Sequence, residues 1–351
     1  MNIYLCIIIG ALLLEFILFN LSRHLDLKNI STSLPNEFKG YYSASEYTRS
    51  QEYLVENTRF SYLTSAVDVL IILMVILFGL FNNVDLWIRG FGFSPMVSGL
   101  LFFGVLFLIQ DMISTPFSLY RTFIIEENYG FNKTIPKTYL LDKIKSYILL
   151  IIIGGLILSL ILFFFNRFGD LAWLYAWIFL SAFLVLIQPL FTLFIAPMFN
   201  TFTPLEDGEL KDKINTFAQK VNFPISRIDV MDGSRRSSKS NAYFSGLGKN
   251  KRIALFDTLI ENHSEDELLS IIAHEVGHYK KKHNIKGIIM GVIQTGIMFF
   301  LLSLFLNNKF LFSAFKMENL SVYASLLFFS ILYSPIELIM SFLSNVISRT
   351  H

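Results

Sequence analysis

The sequence predicts an all-α polytopic membrane protein with a small α+β unit set between its fifth and sixth membrane helices. Three observations predict it. The 351 residues are 54% hydrophobic and only 16% charged, whereas a soluble domain carries about 25% charged residues. Seven apolar segments reach the length of about 20 residues that a helix needs to cross a bilayer. One long polar stretch, residues 198–286, interrupts them.

The seven segments are residues 3–21, 62–81, 96–117, 147–165, 172–194, 288–306 and 322–344. The first lacks the basic start and small-residue cleavage site of a signal peptide and is too long for one. The single cysteine, Cys6, lies in that first apolar run, which excludes a disulfide framework and a cysteine metal site. A net charge of +2, with no basic surface interleaved with aromatics, excludes nucleic acid as a partner. The chain divides into an N-terminal membrane domain (1–197), a polar α+β unit (198–286) and a C-terminal membrane pair (287–351).

Charge orients the segments. The loops after the first, third and fifth carry 5, 5 and 14 Lys and Arg, whereas those after the second, fourth and sixth carry 1, 1 and 2. Basic loops stay on the cytoplasmic side. The N-terminus is therefore expected outside and the polar unit in the cytosol. The short N-terminus suits a bacterial inner membrane, with the endoplasmic reticulum as the alternative.

Within the polar unit, residues 198–210 read as a turn leading into a helix that runs through Val221. Residues 227–231 alternate as a strand, and 232–239 (DGSRRSSK) read as a flexible polar loop. Residues 240–247 and 252–256 read as two further strands joined by a turn at 248–251. A helix follows over 268–281. Ser264 with Glu267 forms a capping box at its start, and residues 265–267 place acid at its positive end.

That helix carries His274-Glu275-Val276-Gly277-His278, the HExxH pattern of zinc metalloproteases. Residues i and i+4 share a helix face, so His274 and His278 can aim ring nitrogens at one ion. Glu275 sits one residue further round, placed to meet a water at the metal rather than to ligate. Gly277 lowers helix propensity, which suits a place where a substrate or another backbone comes close. Polar residues also occur inside the apolar segments: Glu15, Asp68, Gln110, Asp111, Gln188, Gln294 and Glu337. Such residues are costly in a membrane and predict a wet cavity between the helices.

Five stretches carry a wider resemblance: FIIEENYGFNKT (123–134), APMFNTFTPLEDGEL (196–210), SNAYFSGLGKNKRIALFDTL (240–259), AHEVGHYKKKH (273–283) and NVISR (345–349). In these the chain resembles the integral-membrane CAAX prenyl proteases, seven-helix zinc metalloproteases that cleave isoprenylated C-termini. The resemblance implies seven helices enclosing a water-filled chamber with the zinc helix near its cytosolic side. It implies one zinc ion per full-length chain, a prenylated protein or peptide substrate, and the lipid bilayer as surroundings. It makes Asn241, Ala242 and Tyr243 part of an edge strand that pairs with the substrate backbone, with Asn241 hydrogen-bonding the peptide near the scissile bond. His283, Glu126, Glu127 and Asn132 match without an assigned role.

In the family a glutamate just beyond the SRxx pattern is the third zinc ligand. Here Ser348-Arg349-Thr350-His351 ends one residue before it, so that ligand is expected just after His351 or from a C-terminal remainder chain, and the 351-residue form itself is expected to be weak in zinc and inactive. Glu337 lies about four helical turns too early to replace it. Two other functions compete: a heat-shock-type membrane quality-control metalloprotease, and a non-catalytic membrane scaffold if the chain is complete.

Overall fold

A computed structural model describes residues 2–31, 33–245 and 251–349, with side chains described up to residue 346. Residues 246–250 of the predicted strand and turn, and His351, lie outside the described residues. Among the described residues, seven helices are long and apolar enough to cross a membrane. They are α1 (Ile3–Lys28), α2 (Ala44–Phe78), α3 (Pro95–Asn128), α4 (Pro136–Arg167), α5 (Gly169–Phe199), α8 (His283–Phe305) and α9 (Val322–Arg349). Two longer helices, α6 (Glu209–Lys220) and α7 (Glu265–Lys280), lie between α5 and α8, with a six-residue helix (Asp257–Asn262) just before α7.

The helices run well past the apolar windows. Ser43 caps α2 by accepting the Glu46 N–H at 3.1 Å, so the helix begins at Ala44, eighteen residues before the predicted segment. A nucleated helix continues through polar helix formers until a breaker stops it; for α2 the stop is Gly79, left-handed at φ 69°. Helices α3, α4 and α5 each contain a π-helical turn, at Arg121–Ile125, Leu150–Gly154 and Phe191–Ile195. Pro116 and Pro189 precede two of these turns, where a missing N–H loosens the ladder.

The chain forms two compact units. One comprises residues 1–125, 155–176 and 296–351. Its core is aromatic: Phe315 and Phe328 stack with centroids 3.9 Å apart, and Phe312 meets Phe328 edge-on at 5.3 Å. Gly99 allows close helix packing, because a Cβ there would lie 2.8 Å from Leu162 and 3.0 Å from Tyr323. Asp85, fully buried, pairs with Arg89 at 2.7 Å and accepts the Tyr323 hydroxyl. A cavity of about 790 Å³ in this unit is lined by Glu15, Asp68 and Gln110 together with Arg23 and Arg121. Three of the intramembrane polar residues thus share one cavity; Asp111 instead accepts the Thr115 hydroxyl at 3.2 Å.

The other unit comprises residues 126–154 and 177–295. Its sheet has the order β1-β2-β4-β3, from β1 (Phe202–Pro204), β2 (Ile225–Met231), β3 (Ala242–Ser245) and β4 (Lys251–Phe256). Strands β2 and β4 are parallel; the other pairs are antiparallel. Ile214 of α6 and Leu268, Ile272 and Val276 of α7 pack with Ile228, Ile253 and Leu255 of the sheet.

Two expectations for the polar unit are corrected. The 198–210 stretch contains a strand, β1, as well as a turn. It is three residues long and ends in Pro204, whose missing N–H suits the edge position it occupies. Residues 232–239 are pinned rather than flexible. The Arg236 guanidinium donates to Asp142 at 2.7 and 3.0 Å, to Asn200 Oδ1 at 2.8 Å and to the Phe199 carbonyl at 2.6 Å. Gly233 is also required there, since a Cβ would fall 2.4 Å from the Phe256 ring.

Candidate active site

The site is built on α7. Ser264 Oγ accepts the Glu267 N–H at 3.4 Å, and the Glu267 carboxylate accepts the Ser264 N–H at 2.8 Å. The capping box predicted from the sequence is present. Ser264 holds the Glu267 carboxyl below its ordinary range through its backbone and side-chain hydrogen bonds. Lys213 of α6 ties the same end down, 2.9 Å from Glu265 and 2.9 Å from Glu209.

Leu268, Ile272 and Val276 recur every four residues and are 1%, 1% and 3% exposed. At about 100° per residue, His274 and His278 fall two residues from this stripe and so on the opposite face. Both are exposed. Their rings stand at 81° with centroids 4.7 Å apart, and their Nε2 atoms approach to 3.1 Å. Two imidazoles at the usual zinc–nitrogen distance hold their nitrogens about 3.3 Å apart in a tetrahedral site. The pair therefore fits a shared ion. No group of three His, Cys, Asp or Glu side chains poised for a metal occurs among the described residues.

Glu275 and His278 line a cavity of about 470 Å³ together with Tyr243, Phe244, Lys251 and Gln188. Burial pushes the Tyr243 phenol up and pulls the Lys251 ammonium down. Lys251 Nζ lies 4.7 Å from the Tyr279 ring centre. Among the described residues, and apart from the backbone of its own helix, no atom lies within 4 Å of where a Gly277 Cβ would sit, so the space beside this residue is open rather than filled by a neighbouring element.

Strand β3 is an edge: among the described residues it has β4 on one side and no strand on the other. The Phe256 N–H donates to the Asn241 carbonyl at 3.0 Å. That bond sets the ladder phase, so Asn241, Tyr243 and Ser245 turn their peptide groups to β4 while Ala242 and Phe244 turn theirs outward. Tyr243 reaches the cavity; Asn241 and Ala242 are not among its lining residues. Asn241 Oδ1 instead accepts the Ala242 N–H at 2.8 Å.

Three features escape sequence reasoning. His283 lies against His278, with Nδ1 atoms 2.7 Å apart. Lys251, read from the sequence as part of the 248–251 turn, is instead the first residue of β4 and lines the cavity. The 126–134 loop acts as a brace: Lys239 pairs with Glu126 at 2.9 Å, Asn132 donates to Glu127 at 2.9 Å, and the Ser238 N–H donates to the Phe131 carbonyl at 3.1 Å. It holds the segment that delivers Asn241.

A set of membrane-length helices bearing an HExxH helix beside an open strand edge defines a membrane metalloprotease. Residues 23–201 match the family model for the CAAX prenyl protease N-terminal region with five membrane helices, and residues 204–351 match peptidase family M48. The chain belongs to peptidase family M48, with the N-terminal membrane region of its CAAX prenyl proteases. It is 35% identical to CAAX prenyl protease 1 of Saccharomyces cerevisiae, over 91% of this chain and 76% of that protein. It is 29% identical to CAAX prenyl protease 1 homolog of Homo sapiens, over 94% and 79%. The crystal structure of S. mikatae Ste24p superposes with a TM-score of 0.92 at 32% identity, covering 99% of this chain and 86% of that one. None of these comparisons supports a separate chain as the source of a third ligand.

Proposed function

We propose that this protein is a membrane-embedded zinc endopeptidase that cleaves near the C-terminus of prenylated CAAX-type proteins or peptides. The observation that carries the reading is the convergence of His274 Nε2 and His278 Nε2 at 3.1 Å, with Glu275 and the edge strand's Tyr243 on one cavity. The substrate class follows the names of relatives that match nearly the whole chain.

His274 and His278 would hold the zinc ion. When bound, zinc supplies the Lewis acidity that activates water and polarises the scissile carbonyl. Glu275 is the general base: a carboxylate oxygen takes a proton from the attacking water and returns it to the amine nitrogen of the departing peptide. The substrate backbone adds to β3 through the outward Ala242 carbonyl and Phe244 peptide groups. Asn241 exchanges its bond to the Ala242 N–H for one to the substrate, which frees that N–H as well. The basic loops support an N-terminus outside and this site toward the cytosol, in a bacterial inner membrane ahead of the endoplasmic reticulum.

The test is cleavage of matched peptides by the detergent-purified full-length protein, third ligand included. A farnesylated C-terminal peptide should be cut at least tenfold faster than its unprenylated twin. A zinc chelator should stop the reaction and added zinc should restore it. Equal rates on the two peptides would remove the prenyl specificity; indifference to chelation would remove the metal.

A further inference from the structure

We infer that His283 is a positioning residue that fixes His278 in its metal-ligating tautomer. The inference rests on the metal reading of His274 and His278. Proton bookkeeping carries it. A neutral imidazole has one N–H and one lone pair. His278 Nε2 faces His274 Nε2 at 3.1 Å, so if both nitrogens offer lone pairs to one ion, the proton of His278 must sit on Nδ1. That Nδ1 lies 2.7 Å from His283 Nδ1. His283 Nδ1 must then accept, which puts the proton of His283 on its own Nε2. That one hydrogen bond sets both tautomers and orients the ligand ring.

The fold builds this contact deliberately. Helix α7 ends as the Lys281 N–H donates to the Gly277 carbonyl at 3.0 Å and the Lys282 N–H to the Tyr279 carbonyl at 2.9 Å. Lys282 then turns left-handed at φ 57°, a conformation that L-residues other than Gly and Asn or Asp rarely adopt. The next residue is His283, which opens α8 with its ring folded back on His278, centroids 4.9 Å apart. Metal-bound histidines usually donate their second N–H to a carboxylate, a carbonyl or water. Here the acceptor is a neutral imidazole supplied from the first turn of a membrane helix. The ligand ring is thereby coupled to the entry of α8 as well as to α7.

The experiment measures zinc affinity by chelator competition on the detergent-solubilised full chain, comparing wild type with His278→Ala, His283→Phe and His283→Asn. The metal-free proteins are also melted. His283→Phe keeps a planar ring but no acceptor, and zinc affinity should fall about 10- to 100-fold, the usual cost of losing a partner behind a ligand. His283→Asn places an amide oxygen near the lost Nδ1 and should recover most of the affinity. Both metal-free variants should melt with the wild type. The inference is overturned if His283→Phe binds zinc within twofold of wild type, if His283→Asn is no better than His283→Phe, or if the affinity loss merely follows a lower metal-free melting temperature. If His278→Ala binds zinc as tightly as wild type, the metal reading itself fails and takes this inference with it.

Discussion

Ser264 fixes where the HExxH helix begins, because α7 starts where its hydroxyl and the Glu267 carboxylate close the first turn. Replacing it with alanine should cost about 1 kcal/mol, read as a lower melting temperature with zinc stoichiometry retained. The effect should depend on pH. The Glu267 pKa is lowered from 4.5 in the fold, so its contribution is complete above that value and is lost as pH falls through the lowered one. The stability gap between wild type and Ser264→Ala should therefore narrow only below about pH 4.5. A gap that widens on acidification would contradict the assignment. These residues were legible in the sequence because their partners are three or four positions apart, a spacing that helix geometry turns into contact. His283 was not, because its contact with His278 depends on the left-handed Lys282 between two helices. Asn241 was visible as a residue, but its bond to its own neighbour's N–H was not.

At the scale of elements, the sheet depends on one buried charge. Asp229 of β2 is 0% exposed and meets Arg227 at 2.6 Å and the Arg252 guanidinium of β4. Arg252 also lies 4.3 Å over the Phe202 ring of β1, so the cluster links three strands. Asp229→Ala would leave Arg252, whose side chain is 17% exposed, without its counter-charge. The expected cost is about 3 kcal/mol, the low end for breaking a buried pair, because Arg227 is half exposed. Thermal unfolding followed by sheet circular dichroism checks it, and a change under 1 kcal/mol would mean the charges are solvated. The helix-to-helix turn makes a second prediction. Lys282→Gly should hold or raise stability, while Lys282→Val should lower it by about 1–2 kcal/mol, the cost of a left-handed β-branched residue. Strand β2 was legible from alternation and β3 and β4 as runs on either side of a turn, whereas β1 was too short to show a period. The anchoring of 232–239 was hidden because Arg236 finds Asp142 ninety-four positions away.

For the whole molecule, hydropathy alone was enough to find seven helices, since a span needs about 20 apolar residues whatever its neighbours. Their polar extensions were not legible, because helix continues past the apolar window wherever no breaker intervenes. Nor was the division into two units, because the chain passes between them inside helices, for example between residues 125 and 126 and between 154 and 155. The orientation rests on loop charge and makes its own prediction. In a Cys6→Ala background, a cysteine placed at Asp170 should react with an impermeant maleimide on intact cells, and one placed at Glu209 should react only after lysis. The reverse pattern would invert the topology.

The measurement that bears most directly on the catalytic assignment compares Glu275→Gln with wild type, both as the full-length protein, in zinc content and in cleavage of a farnesylated C-terminal peptide. A general base that does not ligate metal predicts unchanged zinc with cleavage reduced by at least 10³-fold, within the range that positioned acid–base groups contribute. Cleavage by Glu275→Gln at the wild-type rate would contradict it.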